Sequence, residues 1–418
     1  MRILFVTNYY PPCDYGWGYM QLCEEVADGL AARGHEIAVL TSTYRHGEDP
    51  PRPYEVHRLL TIEPDWYSGR SAAWQFFVGR RAREKRAIDH LEQLVSSFRP
   101  STMCIWHDLC MSRGLLYAIE TTLRVPVAYY LAAPMPEVGD EYIQYWSDRA
   151  TRSLAAPLKA LLARVALAAL EAEGRPHELK YENAMCVSAH IHKRLTSRSL
   201  VGAGSQIIYN GVSLDEFEPS RFPGQKHSEG RLRALVAGRI CSEKGVHTAV
   251  AALGILRARQ AAQGVYLTIL GDGPADYVEN LRRRVHEYGL DAQVSFRSPV
   301  PREEMPRMLA GHDVLLLPSE YPEPLARSMQ EGMAMGLLVI GTNTGGSGEL
   351  LVDGETGLVF DPGDADGLAE QFFRAVDDPA LCDRLARNAY HMIRERFGID
   401  RTIGKVEQYL AQLAEGAE

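Results

Sequence analysis

RALVAGRICSEKGVHTAVAAL (Arg233–Leu253) begins with a short run that is apolar on both faces and ends in a helical pattern. The strand ends near Gly238 and the helix starts near Gly245, so Arg239 and Lys244 fall in one strand-to-helix loop. Runs of the same kind recur. RILFVT, EIAVLTS, TMCIWH and VPVAYYL lie in the first half, and RALVAG, VYLTILG, VSFRS, VLLLPS and LLVIGT in the second. Strands apolar on both faces, separated by amphipathic stretches such as EEVADGLAARG, predict parallel sheets covered by helices. Between the two series, EPSRFPGQKHSEGRLR (218–233) is rich in Pro, Gly and charge and reads as a linker. The fold class is α/β, with two doubly wound domains. Such sheets bind ligands at the carboxyl ends of their strands, so a cleft between two such ends is the expected site.

Composition narrows the function. A chain of 418 residues suits two domains. Its formal charge of -9 argues against a general nucleic-acid binder. The seven cysteines (13, 23, 104, 110, 186, 241 and 382) form no CxxC pair, which fits free thiols in a reducing compartment. MRILFVTNYYPP is too short an apolar run for a signal peptide, and LAAPLKALLARVALAAL (154–170) carries Pro157, Lys159 and Arg164, so it is a poor membrane span. A cytoplasmic location is expected. WQFFVGRRAREKRA (74–87) joins aromatics to Arg80, Arg81, Arg83, Lys85 and Arg86. It suits either weak contact with a lipid surface or an aromatic core face backed by solvated cations, and the second is the expectation.

The strand ends hold the chemistry. An Arg fork and a Lys point charge beside a helix N-terminus make a diphosphate clamp, although either cation alone reads as a solvated loop residue. VYLTILGDGPADYVENL ends its strand in Gly271-Asp272-Gly273-Pro274, a tight turn open to close ligand approach. Gly345-Gly346-Ser347-Gly348 offers backbone amides as a second anion nest. PSEYPEPLARSMQEGMAMG (Pro318–Gly336) keeps Glu323 and Glu331 with seven residues between them in an otherwise apolar setting. Pro324 suits a first helical position, which puts Glu331 two turns inside a helix and about 12 Å from Glu323 along the axis. That is too far for a two-carboxylate pair acting on one glycosidic bond. It suits the two ends of one extended ligand, a sugar at one carboxylate and a ribose at the other.

At this point the chain resembles the retaining GT-B-fold glycosyltransferases of family 4 over nearly its whole length. Glu323 through Glu331 is similar to the family's E-x7-E motif, and Gly238-Arg239 with Lys244-Gly245 to its phosphate-binding pair. IYNGVSLDEFEP (208–219) and DGETGLVFDPGD (353–364) resemble flanking segments, and NYYPPCDYGWG the acceptor-side loop. The resemblance implies two Rossmann-like domains facing across a cleft: an acceptor domain (1–218), a linker (219–232), a donor domain (233–397) and a C-terminal helix (398–418) packing back on the first. It implies that Glu323 contacts the donor sugar, Glu331 the ribose, and Arg239 and Lys244 the diphosphate. Gly16, Gly18, Asn210, Gly271, Pro324 and Leu325 would line the donor. One departure stands out: where many members carry a histidine or aspartate, this chain has Leu131-Ala132-Ala133. His107, with Asp108 beside it, closes a neighbouring strand and is the candidate replacement, although a structural hydrogen-bonding role fits it nearly as well.

The expected activity is transfer of a sugar from a UDP- or GDP-linked donor to a small-molecule, glycan or lipid-linked acceptor, with retained configuration and without a cofactor or metal. Asp364-Ala-Asp366 looks like a metal-binding DxD, but its place after Pro362-Gly363 and before GLAEQFFRAV suits helix capping. The rival readings are an epimerase or phosphorylase on the same fold, distinguished by whether a separate acceptor is required, and a non-catalytic nucleotide-sugar-binding protein.

Overall fold

The computed structural model describes residues 1–13, 18–44, 46–62, 72–148, 156–222, 231–261 and 264–416. Among them, strands form two separate sheets in which every pairing between named strands is parallel. The first holds β1 (Arg2–Val6), β2 (Glu36–Ser42), β3 (Glu55–Leu60), β4 (Thr102–Trp106), β5 (Val127–Leu131), β6 (Ala184–Cys186) and β7 (Gln206–Ile207), in the order β3-β2-β1-β4-β5-β6-β7. The second holds β8 (Leu232–Ala237), β9 (Val265–Leu270), β10 (Val294–Arg297), β11 (Val314–Leu317), β12 (Leu338–Gly341) and β13 (Leu358–Val359), in the order β10-β9-β8-β11-β12-β13. Both are doubly wound. The order reverses beside the first strand of each, between β1 and β4 and between β8 and β11.

The expected apolar runs are the strands, and their burial explains them. Ile3 to Val6 are fully buried, and the helix Gly18–Ala32 turns Leu22, Cys23, Val26 and Leu30 inward. In the second sheet Leu232, Ala234 and Val236 share a core with Val246, Ala249, Val250 and Leu253 of the helix Val246–Ala258. β3, β6 and β7 were not among the expected runs. β3 and β7 are half-exposed edge strands, and β6 and β7 span only three and two residues.

The chain divides into two compact units: 1–187, 191–208 and 403–418 form one, and 188–190 with 209–402 form the other. The division falls at 208/209, ahead of the expected 218/219. Residues past Tyr209 are stitched to the second unit's own end: Val212 N donates to Phe397 O and Ile399 N to Val212 O, both at 2.9 Å. Thr402 Oγ1 donates to Tyr209 O at 2.9 Å. Residues 223–230 of the expected linker lie outside the described residues. The helix Ile399–Glu415 joins the first unit from Ile403 onward. There Glu407 accepts from Arg33 at 2.6 Å and pairs with His35 at 2.6 Å, and Tyr409 Oη donates to Gly204 O at 2.6 Å.

The segment 74–87 departs from the expected aromatic face backed by solvated cations. Phe76 is buried, while Trp74 and Phe77 are exposed. Arg80 is also buried, 2.5 Å from Glu173, and Arg83 turns back to donate to Gln75 O and Val78 O. No helix among the described residues is long and apolar enough to cross a membrane. All seven cysteines are free.

Candidate functional site

The reversal point of the second sheet lies where β8 and β11 end side by side. After β8, the loop carries Arg239 at the surface and Lys244 as the last residue of a 3-10 turn, Ser242–Lys244. After β11 the chain runs Pro318 to Ala326 before its next helix. The two loops are pressed together backbone on backbone. Glu320 N donates to Glu243 O at 2.8 Å, and a Cβ on Gly245, whose φ is +62°, would stand 1.8 Å from Pro318 O. Gly271, after β9, plays a similar part: its Cβ would meet Gly238 O at 1.8 Å. Gly245→Ala must therefore open the clamp loop. It is expected to cost about 1–2 kcal/mol of stability from the left-handed backbone alone and more from the clash with Pro318 O, with a matching fall in activity. A native melting temperature would show that the loops can part freely.

Glu323 sits beneath this junction with 4% of its surface exposed. Its Oε1 accepts from Lys244 Nζ at 2.5 Å and from Ser319 Oγ at 2.5 Å. Tyr321 adds a hydroxyl contact to the same carboxylate. Burial and that anionic neighbour push the phenol far above its ordinary range, while the charge of Arg239 pulls the other way. Lys244 also lies over the Tyr321 ring at 5.0 Å. The expected sugar-binding carboxylate and the expected phosphate-binding lysine thus hold each other.

The helical reading of Pro324 is corrected. Glu323 is extended, in a parallel bridge with Gly345, and its carbonyl accepts from Gly346 N at 2.7 Å. The helix begins only at Arg327 (Arg327–Ala334), because Glu323 and Pro324 are held against the glycine-rich loop, so the separation of about 12 Å expected for a continuous helix does not apply. The same contact changes the expected anion nest. The Gly346 and Ser347 amides donate to Glu323 O and Thr344 O, so the loop supports Glu323 instead of presenting both amides outward. Asn210 is buried beside this segment. Its Nδ2 donates to Leu325 O at 3.4 Å, its carbonyl accepts from Gln330 Nε2 at 2.9 Å, and its Oδ1 has no partner. Asn210 and Leu325 therefore brace the carboxylate segment through backbone contacts.

Glu331 is inside the helix as expected, and it is buried. Its Oε1 accepts from Arg302 Nη1 at 2.7 Å; Arg302 also lies 3.3 Å from Glu216. Arg302 was missed in the sequence. It follows β10, so it too lies beyond a strand end, but PVPREEMP offers no glycine or paired charge to single it out. Glu320 was missed as well: it accepts from Thr248 Oγ1 at 2.7 Å and faces His247 at 3.1 Å. Asp364 and Asp366 are otherwise engaged. Asp364 caps the helix Ala365–Asp377 by accepting from Gly367 N at 2.9 Å, and Asp366 pairs with Arg259 at 2.9 Å.

In the first unit, β4 is followed at the reversal point by His107 and Asp108, both buried. His107 takes a left-handed φ of +65°, lies 4.0 Å from the Tyr19 ring, and leaves Nδ1 without a hydrogen-bond partner. Burial pushes its pKa down to about 3, so it is a neutral imidazole. Asp108 accepts from Tyr181 Oη at 2.7 Å, and burial raises its carboxyl above the usual range. Gly18 opens the helix beside β1, whereas Gly16 lies outside the described residues. Leu131 is fully buried, so no polar contact comes from that position.

Residues 218–392 match the family described as glycosyl transferases group 1. The chain is 28% identical over 412 residues to glycogen synthase of Mycobacterium tuberculosis, covering 95% of this chain and 91% of the relative. Among solved structures, sucrose-phosphate synthase from Thermosynechococcus elongatus aligns over the whole of both chains with a TM-score of 0.72 at 19% identity. HepE from Anabaena, solved with UDP-glucose, aligns over 99% of this chain and 100% of its own with a TM-score of 0.67 at 19% identity. The fold is thus that of these GT-B neighbours, and it is residues 218–392 of the chain that carry the match to the group 1 glycosyl transferases.

Proposed function

We propose that the chain is a retaining, metal-independent glycosyltransferase that moves a hexosyl group from a nucleoside diphosphate sugar to an acceptor hydroxyl. The observation that carries this reading is the Lys244–Glu323 contact beside Arg239, at the reversal point of the second sheet. A carboxylate suited to sugar hydroxyls and two cations suited to a diphosphate meet where open sheets of this class take ligands. The physical burden of the reaction is charge: the sugar becomes oxocarbenium-like as the diphosphate leaves. Arg239, Lys244 and the N-terminus of the helix Val246–Ala258 supply fixed positive potential for the departing oxygen. The bond from the anomeric carbon to that oxygen breaks, leaving the electron pair on phosphate. The acceptor oxygen bonds the same carbon from the same face, and its proton passes to the departing phosphate. Glu331, oriented by Arg302, is assigned to the ribose. His107, being neutral, suits a hydrogen bond to a hydroxyl and not charge stabilisation.

HepE, whose structure contains UDP-glucose, supports testing uridine-linked donors first. A matched donor is expected to raise the melting temperature by mass action, whereas unmatched donors leave it unchanged. Release of nucleoside diphosphate that depends on an added acceptor separates transfer from epimerisation and from binding alone. Activity is expected to persist in excess chelator, because the clamp cations neutralise the phosphates. Complete loss restored by magnesium or manganese would overturn the metal-independent reading.

A further inference from the structure

In the first unit, the helices Ala72–Phe77, Glu141–Ser147 and Ala156–Ala172 enclose a satellite core containing Phe76, Tyr142, Trp146, Ala163, Ala166 and Leu170. Packing that core uses one side of the helix Ala156–Ala172. Its other side is apolar too: Leu158, Leu161 and Val165, spaced i, i+3 and i+7, are 57–60% exposed. Across the same core, Trp74 is 71% exposed, with Phe77 and Val78 exposed beside it. The Phe77 ring lies 5.5 Å from that of Trp146. These residues make up half of the large hydrophobics exposed among the described residues, gathered around one small core, and such clustering marks an interaction surface.

Charge identifies the occupant. Residues 74–87 and 156–172 carry seven basic side chains against two acidic ones, in a chain whose net charge is -9. Some are committed within the unit: Arg80 and Arg81 bind Glu173, and Arg83 closes the helix before it. Lys85, Arg86 and Arg164 stand exposed. A second copy seated here would set like charges against each other. A bilayer bearing anionic headgroups accommodates both features, with aliphatic chains entering the acyl boundary, the indole at headgroup level and the cations beside phosphate. We propose that the helices Ala72–Phe77 and Ala156–Ala172 form a surface that docks the protein on anionic phospholipid.

The test is flotation of the full chain with vesicles of phosphatidylcholine, alone or mixed with phosphatidylglycerol. Binding is expected to the mixed vesicles and to weaken with salt. The triple variant Leu158→Ser/Leu161→Ser/Val165→Ser should lose at least about tenfold in binding, and Trp74→Ser should weaken it as well. Lys85→Ala and Arg86→Ala should each cost about fivefold at low salt. All are exposed positions, so melting curves should match the native chain. Absence of native binding to either vesicle, or undiminished binding by the triple variant, overturns the proposal. So does self-association that the triple variant abolishes without any flotation of the native chain, since the surface would then belong to a second copy.

Discussion

Lys244→Ala is expected to lower sugar transfer about a hundredfold and to lower the melting temperature too. The kinetic loss follows from asking this cation for about 3 kcal/mol of leaving-group stabilisation. The stability loss has a separate origin. Lys244 is the basic side chain at hydrogen-bond distance from a carboxylate that is almost wholly buried. Removing it leaves Glu323 with the hydroxyls of Ser319 and Tyr321, a cost of about 1–3 kcal/mol and toward the lower end because those donors remain. Adding Glu323→Gln to Lys244→Ala should restore most of the stability and none of the activity. Arg239→Ala, at an exposed loop position, should show the kinetic loss without the thermal one. Rates of nucleoside diphosphate release and melting curves measure both. Near-native turnover in both single variants would reduce Lys244 to a counterion of Glu323 and remove the diphosphate assignment.

The two glutamates are expected to fail differently. Glu331→Ala should weaken the donor and the free nucleoside diphosphate alike, by about 1.5–3 kcal/mol for hydrogen bonds to a charged acceptor. Arg302→Ala should reproduce part of that loss, because it removes the guanidinium that orients Glu331, whereas Arg302→Lys should recover some of it. Glu323→Ala should cut turnover while leaving nucleoside diphosphate affinity unchanged or higher. In the proposed reaction its partner is the sugar, and its loss releases Lys244 from a competing anion. Calorimetric titration beside donor kinetics decides the matter. Equal losses of nucleotide affinity in the Glu323 and Glu331 variants would contradict the division of roles.

What could be read in advance follows from where local sequence dominates. β1, β4, β5, β8 and β11 are short runs buried on both faces, so their apolar character alone betrays them. β3 and β7, half-exposed at an edge, carry no such signal. Arg239 and Lys244 were legible because a loop between strand and helix fixes where both must lie. The conformation at Pro324 was not. A proline favours a helix start as a local preference, but the Gly346 amide reaching the Glu323 carbonyl from a distant loop overrides it. Arg302 escaped for the same reason, since its meaning depends wholly on Glu331, brought to it by the fold. The buried state of Lys85's neighbour Arg80 likewise rests on Glu173, far along the chain.

The hydrogen bond between Thr402 and Tyr209 has a consequence for how such a protein can be rebuilt. Apart from residues 188–190, the second unit is one uninterrupted stretch whose first and last residues touch. In genetic terms it is a cassette inserted into the first unit's reading frame, and its ends meet as closely as those of a loop. Recombinants that exchange one cassette for another should therefore be joined at 208/209 and 402/403. A junction in the Pro- and Gly-rich stretch near 218 looks more permissive, but it would sever residues 209–217 from the Phe397–Thr402 segment that they bind. Chimaeras cut near 218 should express as aggregates, while those cut at 208/209 and 402/403 should remain folded and, on the proposed reading, inherit the donor preference of the inserted part.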